Sequence, residues 1–336
     1  MDLDLVFLGT SASAPTANRA PIALLLRRGG ERLLFDCAEG TQRQLMRSTV
    51  GLPDLEEIFL THFHADHYLG LPGMLKTFAL RQRDVPLTVY GPPGLRDLFG
   101  SLGRVFGKLS YPLELVEVRA GEALEREGYR ILVFPVHHGV SAVGYALVEN
   151  PRPGRFDVET ADALGVPNGP ERGALQRGDS ITLADGRVLT PDAVLGPARP
   201  GRRIVIPGDT TPTETVRILA EGADLLVHEA TFLDEERDRA ADTLHSTALQ
   251  AAELARDVGV RLLALTHIST RYFGPELARE ARETFPATVV PRDFDVIEVP
   301  FAERGEPHLV KGGARPERDE PVAVAAEPGS LFEPGS

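Results

Sequence analysis

The sequence predicts an α/β layered domain, and three observations carry that expectation. Short apolar runs alternate with helix-sized segments and turns over most of the 336 residues. A hydrophobic content of 42% permits a full core, and the length suits one large domain or two ordinary ones. Histidines and aspartates recur directly after apolar runs, and strand ends are where α/β folds build their sites.

In chain order, Asp4 to Leu8, Ile22 to Leu26 and Leu33 to Asp36 read as successive strands, and Gly40 to Ser48 as a helix. Ile58, Phe59 and Leu60 end a buried strand, and a helix follows from about Leu71 to Arg81. Leu87 to Tyr90 is a strand closed by the turn Gly91-Pro92-Pro93-Gly94. Leu113 to Val118 and Tyr129 to Val136 are two more. Residues 151 to 202 break the pattern with Pro151-Arg152-Pro153-Gly154, Pro167-Asn168-Gly169-Pro170 and Gly196-Pro197-Ala198-Arg199-Pro200. A long insertion without a strong apolar period is usually functional or disordered. Every basic residue in it is arginine. Alternation returns at Arg203-Ile204-Val205-Ile206 and runs to about Val299. From Glu303 to Ser336 the composition turns to Pro, Gly, Glu and Arg, which predicts a disordered acidic tail. The expected organisation is therefore one domain over 1–302, with an insertion at about 151–202, and a tail over 303–336.

Composition excludes several classes. A net charge of -13 argues against a surface coated with basic residues for nucleic acid, although a locally positive pocket stays open. The single cysteine, Cys37, rules out an internal disulfide and a cysteine-based zinc site, and points to an intracellular, cytoplasmic protein. The acidic start Met1-Asp2-Leu3-Asp4 lacks the flank of a secretory signal, and no run approaches a membrane span.

Thr61-His62-Phe63-His64-Ala65-Asp66-His67 packs three of the nine histidines into one loop after a strand. Imidazole suits zinc, and a carboxylate beside it serves a second ion or acts as a base. His62 and His64 can face one metal, and Asp66 and His67 another. Further anchors follow strands: His137 and His138 after Ile131-Leu132-Val133-Phe134, Asp209 after Ile204-Val205-Ile206, and His267 after Leu262-Leu263-Ala264-Leu265. One ion would take His62, His64 and one of the 137–138 pair. The other would take Asp66, His67 and His267, with Asp209 bridging. Each residue alone reads as an ordinary strand-end polar group, whereas the fourfold repetition points to two-metal hydrolysis of a phosphoester, amide or lactone.

These motifs resemble those of the metallo-β-lactamase superfamily and, within it, of the ribonuclease Z family of tRNA 3′-processing endonucleases. The likeness runs from about residue 3 to residue 300. It rests on Phe7-Leu8-Gly9-Thr10, on Phe35-Asp36-Cys37-Ala38-Glu39-Gly40-Thr41-Gln42-Arg43-Gln44, and on Gly208-Asp209-Thr210. It rests more specifically on His228-Glu229-Ala230-Thr231, His245-Ser246-Thr247 and Thr266-His267-Ile268-Ser269-Thr270-Arg271-Tyr272. The resemblance selects His138 over His137, because His138 lies six residues before Gly144-Tyr145.

The resemblance implies an αββα sandwich with a protruding arm in the 151–202 interval that holds the tRNA body. It implies two Zn2+ per chain on His62, His64, Asp66, His67, His138, Asp209 and His267. It implies Asp66 as the group that orients and deprotonates water, and His245 as the acid for the leaving oxygen. Thr41, Ser246, Arg271, Gly169 and Pro170 are the expected substrate contacts, with Arg152, Arg155, Arg172 and Arg177 supplying phosphate contacts on the arm. The implied partners are precursor tRNA and a second copy of the chain, with no membrane. One departure stands out: the family loop Pro-x-Lys-x-Arg-Asn reads Pro15-Thr16-Ala17-Asn18-Arg19-Ala20 here.

His228 reads equally as a core residue or a support for the site, and Glu229 as an orienter of a histidine or a strand cap. Thr247-Ala248-Leu249-Gln250 reads as a capping box. Cys37 reads as packing, and Arg43 as a surface charge. The rival functions are a small-molecule phosphodiesterase or other binuclear-zinc hydrolase, a flavodiiron-type redox protein, and a non-catalytic metal-stabilised binding protein. The arm opposes the first, His64 the second, and the complete ligand set the third.

Overall fold

The computed structural model describes residues 1–52 and 55–313. Seventeen strands and ten α-helices are assigned among them. The first half supplies β1 (Leu3–Gly9), β2 (Ala23–Arg28), β3 (Glu31–Phe35), β4 (Glu57–Phe59), β5 (Leu87–Gly91) and β6 (Leu113–Glu117). Then come β7 (Ala123–Arg126), β8 (Tyr129–Pro135) and β9 (Val143–Glu149). The insertion holds β10 (Ile181–Thr182) and β11 (Val188–Leu189). The second half adds β12 (Arg203–Ile206), β13 (Leu225–Glu229), β14 (Leu263–Thr266), β15 (Thr288–Val289), β16 (Val296–Glu298) and β17 (His308–Val310).

Two mixed sheets result. One has the order β17-β16-β1-β2-β3-β4-β5-β6, and the other β15-β14-β13-β12-β9-β8-β7. Their facing sides share one core that includes Leu5, Phe7, Leu24, Phe35 and Phe59 from the first sheet and Ile131, Tyr145, Ile204 and Leu225 from the second. Strand alternation sends the intervening residues outward. Val6, Leu8, Leu25 and Ile58 meet Leu45, Met74, Leu75 and Phe99 of helices α1 (Thr41–Arg47), α3 (Leu71–Leu80) and α4 (Leu95–Phe106). Val205, Leu226 and Leu263 meet Val216, Ala252 and Leu277 of α7 (Glu214–Ala220), α9 (Ala248–Val258) and α10 (Gly274–Thr284). Both faces of each sheet are thus covered, which is why the central strands read as near-continuous apolar runs. Small residues at 251, 252 and 255 let α9 lie close on its sheet. This is the expected αββα sandwich.

The insertion folds on itself. Helices α5 (Val158–Ala163) and α6 (Pro170–Arg177) and the β10–β11 hairpin enclose Ala161, Val166, Leu175 and Val194. Its apolar residues are too few and too scattered to show a period, yet they suffice for this small core. Two bridges, Arg152 with Arg199 and Phe156 with Leu195, join its two legs at the base. The legs touch where Gly154 lies against Gly196, so closely that a Cβ at 154 would stand 1.9 Å from the Gly196 carbonyl oxygen.

The expected boundary at 302 does not hold. The chain continues from Val299 through a short 3-10 turn at Ala302–Arg304 to β17, which pairs antiparallel with β16. Polar composition hid a strand whose stabilisation comes from backbone pairing at a sheet edge. The remainder of the expected tail, 314–336, lies outside the described residues. No helix among the described residues is long and apolar enough to cross a membrane.

Candidate active site

The loop after β4 and the short helix α2 (Ala65–Tyr68) carry His62, His64, Asp66 and His67. His138 follows β8, Asp209 follows β12, and His267 follows β14. The sandwich gathers these strand ends at one edge. His62 Nε2 and His138 Nε2 lie 3.0 and 3.1 Å from His64 Nδ1. On the other side His267 Nε2 is 3.3 Å and His67 Nε2 3.8 Å from Asp66 Oδ2. Asp209 Oδ2 stands between the two groups, 3.2 Å from His267, 3.3 Å from His67, 3.7 Å from His138 and 3.9 Å from His62. The structure thus brings all seven expected residues together in the expected two sets. His137 is exposed and outside them; its backbone N–H donates to Thr210 Oγ1 and its carbonyl accepts from the Thr211 N–H.

The donor set fits metal ions. His67 Nε2 is buried and makes no hydrogen bond, although Asp209 lies beside it. Three imidazole nitrogens face one another around His64, an arrangement that a shared cation satisfies better than protons do. Burial opposes charge on Asp209 and Asp66, yet the neighbouring His267 and His67 hold both carboxyls well below the ordinary range. Burial likewise opposes charge on His67, while Asp209 and Asp36 push its pKa well above that of a free imidazole. His62 goes the other way, pulled well below by burial and by His67. Buried Asp209 and half-buried Asp66 place two carboxylates at the centre, which bound cations would neutralise.

A support layer fixes these groups. Asp36 accepts from the Thr61 N–H at 2.8 Å and lies 2.8 Å from His67 Nδ1, leaving Nε2 to face the centre. His138 Nδ1 is 3.0 Å from the Leu244 carbonyl, and His267 Nδ1 is 2.9 Å from Thr231 Oγ1. The Ser13 N–H donates to Asp66 at 2.7 Å. Ser13, Asp36, Leu244 and His267 all have positive φ, four of the six such non-glycine residues among those described. Strain of this kind concentrates where surrounding contacts over-determine the backbone. Gly208 also has positive φ, and a Cβ there would meet Thr61 at 2.9 Å, which explains glycine before Asp209.

His245 sits beside both sets, with ring centroids 4.7 Å from His138 and 5.4 Å from His267. Its Nδ1 is 2.9 Å from Glu229 Oε1. Burial disfavours the imidazolium, but Glu229 and Asp209 raise its pKa to about 9. Glu229 also accepts from the Thr210 N–H, the Ser246 N–H and Thr231 Oγ1. It orients the histidine, one of the two roles open to it. His228 is a core residue, fully buried with Nδ1 2.8 Å from the Glu229 carbonyl. Thr247 and Gln250 form the expected capping box of α9. Sequence reasoning missed Asp36, Thr231, Ser13 and the Leu244 carbonyl. Asp36 left a signal as an acid ending an apolar strand, and Thr231 as the last residue of the His228-Glu229-Ala230-Thr231 motif, whereas Ser13 and the Leu244 carbonyl left none.

The expected substrate contacts fare worse. Ser246 is fully buried, and its hydroxyl donates to the Thr210 carbonyl at 2.6 Å. Thr41 is buried too, with its hydroxyl on the Ala38 carbonyl. Both hydroxyls are thus spent on backbone carbonyls. Arg271 donates to Glu236 at 2.5 Å. Gly169 and Pro170 start α6 in the arm, outside the histidine cluster. On the arm, Arg172 is taken up by Asp162 and the Val166 and Pro167 carbonyls, and Arg152 by Glu303. Arg155 and Arg177 are exposed. Arg19, in the divergent loop, turns inward to Thr10 Oγ1 and the Pro291 carbonyl. Cys37 is buried, and burial pushes its thiol far above the ordinary range.

Comparison with known proteins agrees with this geometry. Residues 21–151 match the metallo-beta-lactamase superfamily. Ribonuclease Z of Methanosarcina acetivorans is 45% identical over 304 residues, covering 89% of this chain and 99% of that protein. Ribonuclease Z of Myxococcus xanthus is 46% identical over 303 residues, covering 89% and 98%. Among solved structures, human tRNase Z, short form, superposes with a TM-score of 0.64 at 28% identity, covering 88% of this chain and 99% of that one. YhfI from Bacillus subtilis, at 18% identity and a TM-score of 0.65 over 89% and 100%, shares the fold. With 45–46% of the aligned residues identical to these relatives over nearly their whole length, the chain belongs to the ribonuclease Z family.

Proposed function

We propose that this protein is a metal-dependent endoribonuclease that removes the 3′ trailer from precursor tRNA and leaves a 3′-hydroxyl on the tRNA. The observation that carries the reading is the convergence of two ligand sets, one of them containing Asp66, on Asp209, with His245 beside them. Two zinc ions are proposed, one on His62, His64 and His138, the other on Asp66, His67 and His267, with Asp209 shared. When bound, such ions lower the pKa of water and neutralise charge on the phosphate oxygens.

The residues of the chain do the rest. Asp66, held by the Ser13 N–H, orients the attacking water and takes its proton. The water oxygen bonds to phosphorus, the bond to the 3′ oxygen of the tRNA breaks, and the phosphate stays on the trailer. His245, cationic and oriented by Glu229, gives its proton to that leaving oxygen. The arm holds the body of the tRNA. Family resemblance supports a homodimer in which one subunit's arm holds the tRNA cut by the other. The single, buried cysteine supports a cytoplasmic setting.

The test is cleavage of a precursor tRNA transcript beside bis(p-nitrophenyl) phosphate. Cleavage at the trailer junction with a 3′-hydroxyl on the tRNA is the expected result. Turnover of the diester without any cut in the transcript would make the protein a small-molecule phosphodiesterase.

A further inference from the structure

The arm leaves the body after Glu149 and returns at Arg202, and these two residues pair at 2.7 Å. Arg28 also donates to Glu149, and Arg202 reaches the carbonyls of Val299 and Met1. This buried network roots the arm in the sandwich. One step further out the legs are joined to each other by the Arg152–Arg199 backbone pair, and Arg199 donates to the Pro153 carbonyl at 3.0 Å and Arg152 to the Pro200 carbonyl at 3.3 Å. At that level the segment after β16 intervenes. Glu303 accepts from Arg152 on one leg through both oxygens, at 2.8 and 3.1 Å, and from Arg199 on the other leg at 3.0 Å. The Arg152 guanidinium carbon lies 3.4 Å from the centroid of Phe301, and that of Arg202 lies 4.1 Å from it.

We infer that Glu303, seated by Phe301, is a positioning residue for the tRNA: it sets the direction of the arm against the body. A two-oxygen grip on planar guanidinium groups fixes orientation as well as distance. One carboxylate across both legs resists their splaying and the tilting of the arm as a unit. The arm's own core reaches none of the body's three cores, so its direction rests on this base. The inference depends on the reading that the arm holds the tRNA.

The experiment uses the full chain with Glu303→Gln, Glu303→Asp and, separately, residues 157–193 replaced by a short Gly/Ser linker. Glu303→Gln should raise KM for precursor tRNA roughly threefold to tenfold, the scale of one or two charge-assisted hydrogen bonds. Its kcat on bis(p-nitrophenyl) phosphate should stay at the level of the unmodified chain, and Glu303→Asp should recover most of the loss. Hydrogen exchange at the Arg152 and Arg199 amides should quicken in Glu303→Gln. Unchanged KM and exchange in Glu303→Gln, beside a linker variant that binds tRNA poorly, would overturn the clamp and leave the arm's role intact. Equal losses on both substrates would also overturn it, because the defect would then lie in the body. A linker variant with normal KM would overturn the arm's role itself, and the clamp's with it.

Discussion

Glu229 Oε1 lies 2.9 Å from His245 Nδ1, and this contact ties the end of β13 to the residues that open α9. The carboxylate fixes the ring and favours its cationic form. His245→Ala should therefore lower kcat on precursor tRNA by roughly 10²–10⁴, the usual range for lost proton transfer. Metal content by elemental analysis should be unchanged. Glu229→Gln places an amide where the carboxylate takes four donors, so it should lower kcat by about 10²-fold and also cost stability by leaving buried donors unpaired. A His245→Ala protein of full activity would return that histidine to a structural part.

Asp209 touches both ligand sets, whereas every other ligand belongs to one. Asp209→Ala should lose both metals, and His64→Ala, at the exposed rim of one set, should lose mainly one. Elemental analysis after gel filtration in metal-free buffer distinguishes the two. Equal metal contents in the two variants would refute the shared position of Asp209.

The histidine and aspartate cluster was legible because its residues are rare types placed after apolar strands. The histidine loop, His138, Asp209 and His267 each follow a run that can only be a buried strand, so a sheet edge must bring them together. Contacts made by common residues were not legible. Ser246 and Thr41 carry motif positions, yet their hydroxyls are spent on the carbonyls of Thr210 and Ala38, a use that only the fold reveals. Arg152 and Arg172 looked free because their stretch shows no apolar period, while their partners, Glu303 and Asp162, stand 151 and 10 residues away. β17 escaped for a related reason: an edge strand needs backbone partners more than apolar side chains.

A chain ending at Ala302 loses β17 and the Glu303 contacts together. Its melting temperature should fall by at least roughly 1–2 °C, the shift expected for each kcal/mol lost in a chain of this length. A chain ending at Gly313 keeps these contacts and serves as the reference. Identical melting of the two would mean that β17 and Glu303 contribute nothing to folding. A fall without any change in KM for precursor tRNA would separate stability from the positioning of the arm.

The last prediction concerns which arginines meet tRNA. The 151–202 interval holds seven arginines and seven acids, so it is neutral within an acidic chain and binds phosphate only where arginines face solvent. Arg172 is bound to Asp162 and to two carbonyls of the arm, and Arg152 to Glu303. Arg155 and Arg177 are exposed, and Arg177 has only a 3.7 Å pair with Asp179. Arg155→Glu with Arg177→Glu should raise KM for precursor tRNA and lower the slope of log affinity against log salt by about two, since each phosphate contact contributes about one. Turnover of bis(p-nitrophenyl) phosphate should be unchanged, because neither residue is near the ligand sets. Arg172→Ala should instead destabilise the arm, shown by proteolysis within 157–193, because it leaves the loop before α6 without its hydrogen-bond donor. If the double substitution left the salt slope intact, tRNA would have to be held elsewhere, and the arm would act by shape rather than by charge.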